Sequence, residues 1–513
     1  MIHNVIKENS YFDSVTLMLF SSKLNAIEGI TQAAVMMGTD HNKDLMLNSG
    51  VLTEEFAKKA SANDLVIGIH SDSQVVVDQA IVVLEEQFEN KSKASKSKDV
   101  VAKTVTAATK AVPDLNFAVV SLPGRFARKE VMNCLRNNIH VLLFSDNVSV
   151  EEENQLKAYA VEKELLMMGP DCGTAIINGV ALGFANVVRR GNIGLVAASG
   201  TGLQEVTVII DALNGGISQA LGTGGRDMKD VIGGKMALQA LDALHADPAT
   251  DVIGIISKPP STSVMKKIID KVQHFNKPVV ACFLGGDKSV VENSNIYDAY
   301  TLESAAYYLV ALAQDQEPKS APVVTADQMV ALTNKNTGNY LRGLYTGGTL
   351  AYEAMLLLSK SLGDVYSNIA MESHLMLDNP DESVNHTIVD LGEDYFTDGM
   401  AHPMIDPRLR SERIKKEVQD PNTAVVLLDC VLGYGSHDDP AGEIVKAISE
   451  ASKLLNGREV VYVASVTGSE ADPQVKSQQV KKLEAAQVVV LPTNAQAAQY
   501  AALLLQYKAG QAS

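Results

Sequence analysis

Cysteine is scarce in this chain: Cys134, Cys172, Cys282 and Cys430 are the 4 among 513 residues, far apart and in no CxxC pair. That pattern suggests neither a disulfide framework nor a zinc site, and it suits a reducing compartment. Basic charge is short as well. Lys and Arg number 44 against 61 Asp and Glu, giving a formal net charge of -17 and a pI near 5.1, whereas nucleic-acid binding needs concentrated Lys and Arg. No apolar run approaches the about 20 residues of a membrane span, and Met1 to Asn9 holds no signal-peptide core. The expectation is a cytoplasmic protein with neither a nucleic-acid nor a membrane partner. Neither HExxH nor GxSxG occurs, so no metal and no nucleophile elbow are expected.

What is present reads as well-packed α/β protein, with 46% hydrophobic and 20% charged residues. The length exceeds what one core serves and points to three domains. Short continuous apolar runs, Leu65–Ile69, Phe117–Ser121, Val141–Phe144, Ile253–Ile256 and Pro278–Phe283, predict strands buried on both faces and hence parallel sheets. The Lys/Ser tract Lys91–Lys98 reads as a solvated loop, and Gln314–Pro322 as an interdomain linker. Beyond it the alternation restarts with Gly343–Thr346, His386–Asp390, Ala424–Asp429, Val460–Ala464 and Val488–Leu491. Domains are placed at 1–190, 191–315 and 325–513. Within 1–60, Ser14–Leu19 and Gln32–Met37 read as strands flanking a helix, without the glycine-rich turn of a dinucleotide site.

Three blocks put small residues where an apolar strand ends: Gly169-Pro170-Asp171-Cys172-Gly173, Ser199-Gly200-Thr201-Gly202 and Gly222-Thr223-Gly224-Gly225-Arg226-Asp227. Unpaired N–H groups at a helix start make an anion cradle, and the dipole adds roughly 0.3–1 kcal/mol. Ser199 or Thr201 would cap the helix, and Arg226 would supply forked donors to a phosphate or carboxylate. Gly433-Tyr434-Gly435-Ser436-His437 follows another strand, with Pro440 suited to a first helical turn and His437 to proton or hydrogen-bond donation. Lys258 stands at a further strand end, where open α/β sheets bind ligands. His402 and Asp406, in a long connection after Asp390, are weaker candidates. Cys172 lies beside Asp171, which raises a thiol's pKa, so it reads as a turn residue rather than a nucleophile.

On these residues the chain resembles known proteins. Residues 113–310 resemble the α subunit of succinyl-CoA synthetase: Gly169–Gly173 matches its GPNC turn, Ser199–Thr201 its SGT helix start, and Gly222–Asp227 its GIGGD loop. Residues 341–510 are similar to the β subunit's C-terminal ligase domain, with Gly433-Tyr434-Gly435 at its anion-binding helix. The resemblance implies a Rossmann-like CoA-binding-type domain followed by two flavodoxin-like parallel-sheet domains, with two helix starts facing one phosphate.

The departures matter. The family's phosphorylated histidine lies in a GHAG motif, whereas Gly285–Tyr300 contains no histidine, and Lys258 replaces the glutamate that would steady it. The ATP-grasp domain is also missing. Over its whole length the chain resembles the FdrA family, including Tyr11–Val15, Phe144–Glu151, His402–Pro407 and Gly435–His437. That resemblance implies an oxamate carbamoyltransferase subunit in allantoin catabolism, acting in an oligomer with two partner proteins on oxalurate and phosphate. Phosphate or carbamoyl phosphate would be the bound substrate, cradled by Ser199, Gly200, Thr201, Gly202, Gly224, Gly225, Gly433, Tyr434, Gly435 and Ser436. Arg226, Lys258 and His437 would act on it. The alternatives are a CoA-binding acyl-CoA synthetase subunit and a noncatalytic assembly or regulatory subunit.

Overall fold

Apolar runs, most followed by a polar or glycine-rich turn and an amphipathic segment, produce strands of two to nine residues and helices in near-strict alternation. The computed structural model describes every residue except 1, 9, 11, 13, 28, 95–101, 293, 326–334, 398–399 and 513. The chain forms two compact units, Met1–Lys103 and Thr104–Ser513.

The first unit runs β1 (Ile2–Lys7), α1 (Ser14–Asn25), β2 (Ile30–Met37), α2 (Asp40–Asn48), α3 (Glu54–Lys59), β3 (Leu65–Ser71) and α4 (Gln74–Ala94). β3 lies between β1 and β2 and is antiparallel to both, so β1-α1-β2 is a split βαβ. Two expectations are corrected here. Ser14–Leu19 belongs to α1, where Leu17, Phe20 and Leu24 share a buried face at helical spacing that a short apolar run conceals. Leu65–Ile69 is buried on both faces yet antiparallel: Leu65, Ile67 and Ile69 pack with Leu17, Leu24 and Ala80, while Val66 packs with Met46 and Leu52. A continuous apolar run reports two covered faces, not strand direction. The Lys91–Lys98 tract begins as the last turn of α4 instead of a loop, and its remainder lies outside the described residues, as do Tyr11 and Asp13.

The second unit opens with α5 (Val105–Ala111), β4 (Phe117–Val120), α6 (Gly124–Arg136), β5 (His140–Leu143), α7 (Val150–Glu162) and β6 (Met167–Met168), a parallel sheet in that strand order. A hairpin, β7 (Thr174–Ile177) and β8 (Val180–Gly183), precedes β9 (Arg190–Ala197), α8 (Gly200–Ala212), β10 (Ile217–Gly222), α9 (Lys235–Ala246), β11 (Val252–Ser257), α10 (Thr262–Val272), β12 (Val279–Phe283), α11 (Lys288–Val291), β13 (Ile296–Asp298) and α12 (Leu302–Ala313). The strand order is β13-β12-β11-β9-β10-β7-β8, parallel through β10, with the antiparallel hairpin carrying residues 174–183 into the same sheet. The last sheet comes from β14 (Tyr340–Tyr345), α13 (Gly348–Leu362), β15 (Val365–Ser367), β16 (His386–Asp390), α14 (Asp394–Thr397), α15 (Arg408–Glu417), β17 (Thr423–Val431), α16 (Pro440–Ser452), β18 (Val461–Thr467), α17 (Lys476–Ala485), β19 (Val489–Leu491) and α18 (Asn494–Ala512). Its order is β15-β16-β14-β17-β18-β19, all parallel.

In the larger sheet β9 lies between β10 and β11, the flavodoxin-like order with its switch point at β9/β11, whereas in the last sheet β14 lies between β16 and β17 and the strand order turns at β14/β17. One hydrophobic cluster runs through both, joining Leu195, Leu203 and Leu309 to Leu341, Leu350 and Leu504. Carboxylates complete the join by exchange. Glu353 of α13 accepts from Leu302 N at the start of α12 (2.7 Å), and Glu205 of α8 accepts from Asn494 N at the start of α18 (2.9 Å). Each half thereby satisfies an orphan helix donor of the other.

Candidate functional site

β9 ends at Ala197, and Ser199 caps α8, its Oγ accepting from Gly202 N at 3.0 Å. β14 ends at Tyr345, and the chain turns through Thr346 and Gly347 into α13. Asp429, buried on β17, accepts from the N–H groups of Thr346 (2.9 Å) and Gly347 (2.7 Å) and is itself held by Arg410 (3.1 Å). The first unsatisfied donors of α13 are therefore those of Gly348 and Thr349. The two helix starts meet: Ser199 Oγ donates to Thr349 Oγ1 at 2.6 Å, and a Cβ at Gly347 would lie 2.9 Å from the Thr201 side chain. Two positive dipole ends brought together repel unless negative charge lies between or beside them.

Side chains of both signs border that place. Ile256 of β11 pairs with Ala197 of β9, so Lys258 leaves its strand next to Ser199 at the first switch point. Asp390, opposite Tyr345 in the register of β16 and β14, reaches the start of α13. A Cβ at Gly348 would stand 2.3 Å from Asp390 Oδ2 and 3.2 Å from Lys258 Nζ, which is why glycine occupies this position. Burial pushes the Asp390 carboxyl up to about 6 against the opposing attraction of Lys258. Burial, together with Asp146 and Asp394, raises Asp171 to about 6 while Lys258 and Arg226 pull it down. His402 Nε2 abuts the place a Cβ at Gly392 would fill (2.6 Å), and its Nδ1 accepts from Met404 N (3.2 Å). The proton then sits on Nε2, and burial lowers the imidazole to about 4, making it a neutral donor. The assembly can hold an anion on backbone donors and one ammonium, with carboxyl groups poised between acceptor and donor.

The other sequence candidates make contacts of their own in the same unit. Arg226 is tied to Glu153 Oε2 (2.9 Å) and to Val148 O (2.7 Å). Gly224 and Gly225 open no helix, because α9 begins at Lys235, and Asp227 caps it by accepting from Ala237 N (2.8 Å). The Gly433 turn packs against the stretch after β8: Tyr434 N donates to Ala185 O (2.9 Å) and Gly433 N to Gln474 Oε1 (3.1 Å). Gly435 lies where a Cβ would meet the Phe184 ring, and Ser436 Oγ is buried with no hydrogen-bond partner among the described residues. α16 starts only at Pro440, capped by Asp439. His437 donates its N–H to Met404 O and accepts from Asp439 N on Nδ1 (3.1 Å), while Asp406 pairs with Arg408. The hydroxyl-bonded partner of the Ser199 turn is thus Gly347–Thr349. Cys172 is buried, its thiol pushed up to about 12, as a turn residue requires.

Gly347, Gly348, Thr349 and Asp390 were not among the sequence candidates. A cue exists: Gly200-Thr201 with Glu205 recurs as Gly348-Thr349 with Glu353, at the same spacing after a strand.

A CoA-ligase family model matches residues 344–504, and a model described as AllF, heavy metal-associated domain, matches residues 1–105. The α subunit of an ADP-forming succinate–CoA ligase from Methanothermobacter thermautotrophicus is 24% identical over 34% of this chain, which spans 58% of that subunit. A dinucleotide forming acetyl-coenzyme A synthetase 1 of Ca. Korarchaeum cryptofilum, in complex with phosphate and ADP, aligns with 81% of this chain and 88% of its own at a TM-score of 0.36 and 16% identity. The scaffold is CoA-ligase and succinyl-CoA synthetase-like. More particularly, the chain belongs to the family of the uncharacterized protein YahF of Escherichia coli (strain K12), with 44% identity across 95% of each chain.

The heavy metal-associated model finds no thiolate here: residues 1–105 contain no cysteine. Among the described residues no three His, Cys, Asp or Glu side chains gather as metal ligands.

Proposed function

We propose that this chain is an FdrA-type subunit of a carbamoyltransferase, binding phosphate or carbamoyl phosphate where α8 and α13 meet. The observation that carries the reading is the 2.6 Å contact between Ser199 and Thr349, which aims two sets of helix N–H donors at one place beside Lys258. Gly285–Tyr300 offers no histidine for a phosphoenzyme, so the phosphate would react directly. A phosphate oxygen attacks the carbamoyl carbon of oxalurate, the C–O bond forms, and the C–N bond breaks. Oxamate departs with that electron pair and takes a proton. Backbone donors and Lys258 orient the nucleophile and offset its charge, and the neutral His402 Nε2–H stands by as a donor. Partner chains would complete the enzyme.

The CoA-ligase match over residues 344–504 favours a second reading, a CoA-dependent acyl transfer on the same scaffold. Thermal shifts of the purified chain with phosphate, carbamoyl phosphate and CoA at matched ionic strength separate the two. A ligand at 100 times its Kd stabilises by about 2.7 kcal/mol. Stabilisation by phosphate and carbamoyl phosphate without CoA is expected; stabilisation by CoA alone would establish the second reading.

A further inference from the structure

A carboxylate is out of place in a phosphate cradle, where it repels the ligand. Asp390 is nevertheless there, only 5% exposed. Its Oδ1 accepts from Gly392 N at 2.9 Å, whereas Oδ2 takes no hydrogen bond among the described residues. That free oxygen faces the first turn of α13, and a Cβ at Gly348 would fall 2.3 Å from it and 3.2 Å from Lys258 Nζ. No ion pair of 4 Å or less joins Lys258 and Asp390 among the described residues. A cation, an orphan helix donor and a carboxylate acceptor thus border one spot.

Such a trio fits a ligand that carries a hydrogen-bond donor a few bonds beyond its anionic group. The methyl of a simple acyl phosphate leaves the buried acceptor unmatched, which costs affinity. The NH2 of a carbamoyl group supplies the missing proton. We propose that Asp390 Oδ2 accepts a hydrogen bond from the carbamoyl NH2 of bound carbamoyl phosphate, so that Asp390 selects carbamoyl phosphate over acyl phosphates. This rests on the phosphate reading of the site and adds the residue that sets its specificity.

Acetyl phosphate, with CH3 in place of NH2, is the control ligand. Wild-type protein is expected to bind carbamoyl phosphate on the order of 10-fold or more tighter than acetyl phosphate, the scale of a hydrogen bond to a charged group. Asp390→Asn keeps an oxygen for Gly392 N but turns the other atom into a donor. It should bring the two ligands to within about 2-fold of each other, because the loss of the carboxylate's repulsion acts on both alike and only the carbamoyl ligand loses a hydrogen bond. The wild type also carries its own test, independent of any variant. Burial raises Asp390 to about 6, with Lys258 lowering it and Asp429 and Glu393 raising it. Lys258 also acts on Asp171, which Asp146 and Asp394 raise, and the His402 ring abuts Gly392. The preference should therefore decline as pH falls through about 6, where the acceptor is protonated. Equal wild-type affinities, a preference that survives in Asp390→Asn, or one that is flat across that pH range would overturn the assignment while leaving the phosphate site standing. Absence of binding by every phosphate ligand would overturn both.

Discussion

Ser199 illustrates how one side chain serves both stability and ligand binding. Its Oγ satisfies Gly202 N and bridges to Thr349, so Ser199→Ala removes a helix cap and the link between two helix starts. A loss of about 1 kcal/mol of stability is expected from the cap alone, readable by denaturant unfolding; an unchanged midpoint would show that the cap contributes nothing. The cysteines are the opposite case, side chains without chemistry. All four are free and buried, with burial raising Cys134 to about 11 and Cys172 and Cys430 to about 12. Since the thiolate is the reactive form, native protein at pH 8 should show no thiol reacting with Ellman's reagent within minutes, and denaturation should release all four. A fast thiol in native protein would contradict this burial. Asp171 is visible in the chain itself and acts in the expected direction on Cys172, but burial leads, and Lys157, distant in sequence, opposes it.

At the scale of elements, the exchanged caps between α12, α13, α8 and α18 carry a pH signature. Burial, reinforced by Glu205 and Glu303, raises Glu353 to about 8 from the ordinary glutamate value. A carboxyl whose folded pKa is raised binds its proton more tightly when folded. Its stabilising contribution is full below the unfolded pKa and is lost as pH climbs to the folded one. Melting temperature should thus decline between about pH 5 and pH 8, and Glu353→Gln, which cannot titrate, should flatten that slope. An identical slope in the variant would refute the assignment. Much of the element pattern was readable from sequence, since strands such as Val279–Phe283 and His386–Asp390 announce themselves as apolar runs. The second helix start was not. Gly433-Tyr434-Gly435 and Gly347-Gly348 offer the same cue of glycines after a strand, but glycine serves close packing as readily as anion binding. Gly433 and Gly435 have φ of 106° and 80° and press against Ala185 and Phe184, a long-range contact that sequence alone does not carry.

For the molecule as a whole, two compact units divide between Lys103 and Thr104. The first has the split βαβ arrangement with no cysteine, and among the described residues no cluster of metal-ligating side chains. Equimolar Zn2+ added to the full chain should leave its melting temperature unchanged; a saturable one-to-one stabilisation would show a metal site made by other residues. The second unit concentrates the candidate chemistry where both switch points adjoin, so Lys258 from one sheet and Asp390 from the other reach the same place. No helix among the described residues is long and apolar enough to cross a membrane.

The most direct test of the central claim is a calorimetric titration of inorganic phosphate into the wild-type chain and into Lys258→Met. Removing a charge-assisted partner of the anion should weaken binding on the order of 10-fold or more, with the native fold retained because Lys258 makes no ion pair of 4 Å or less among the described residues. Saturable wild-type binding that weakens in this way is the result predicted. Equal affinities in the two proteins, or no saturable binding by the wild type, would contradict a phosphate site at the meeting of α8 and α13.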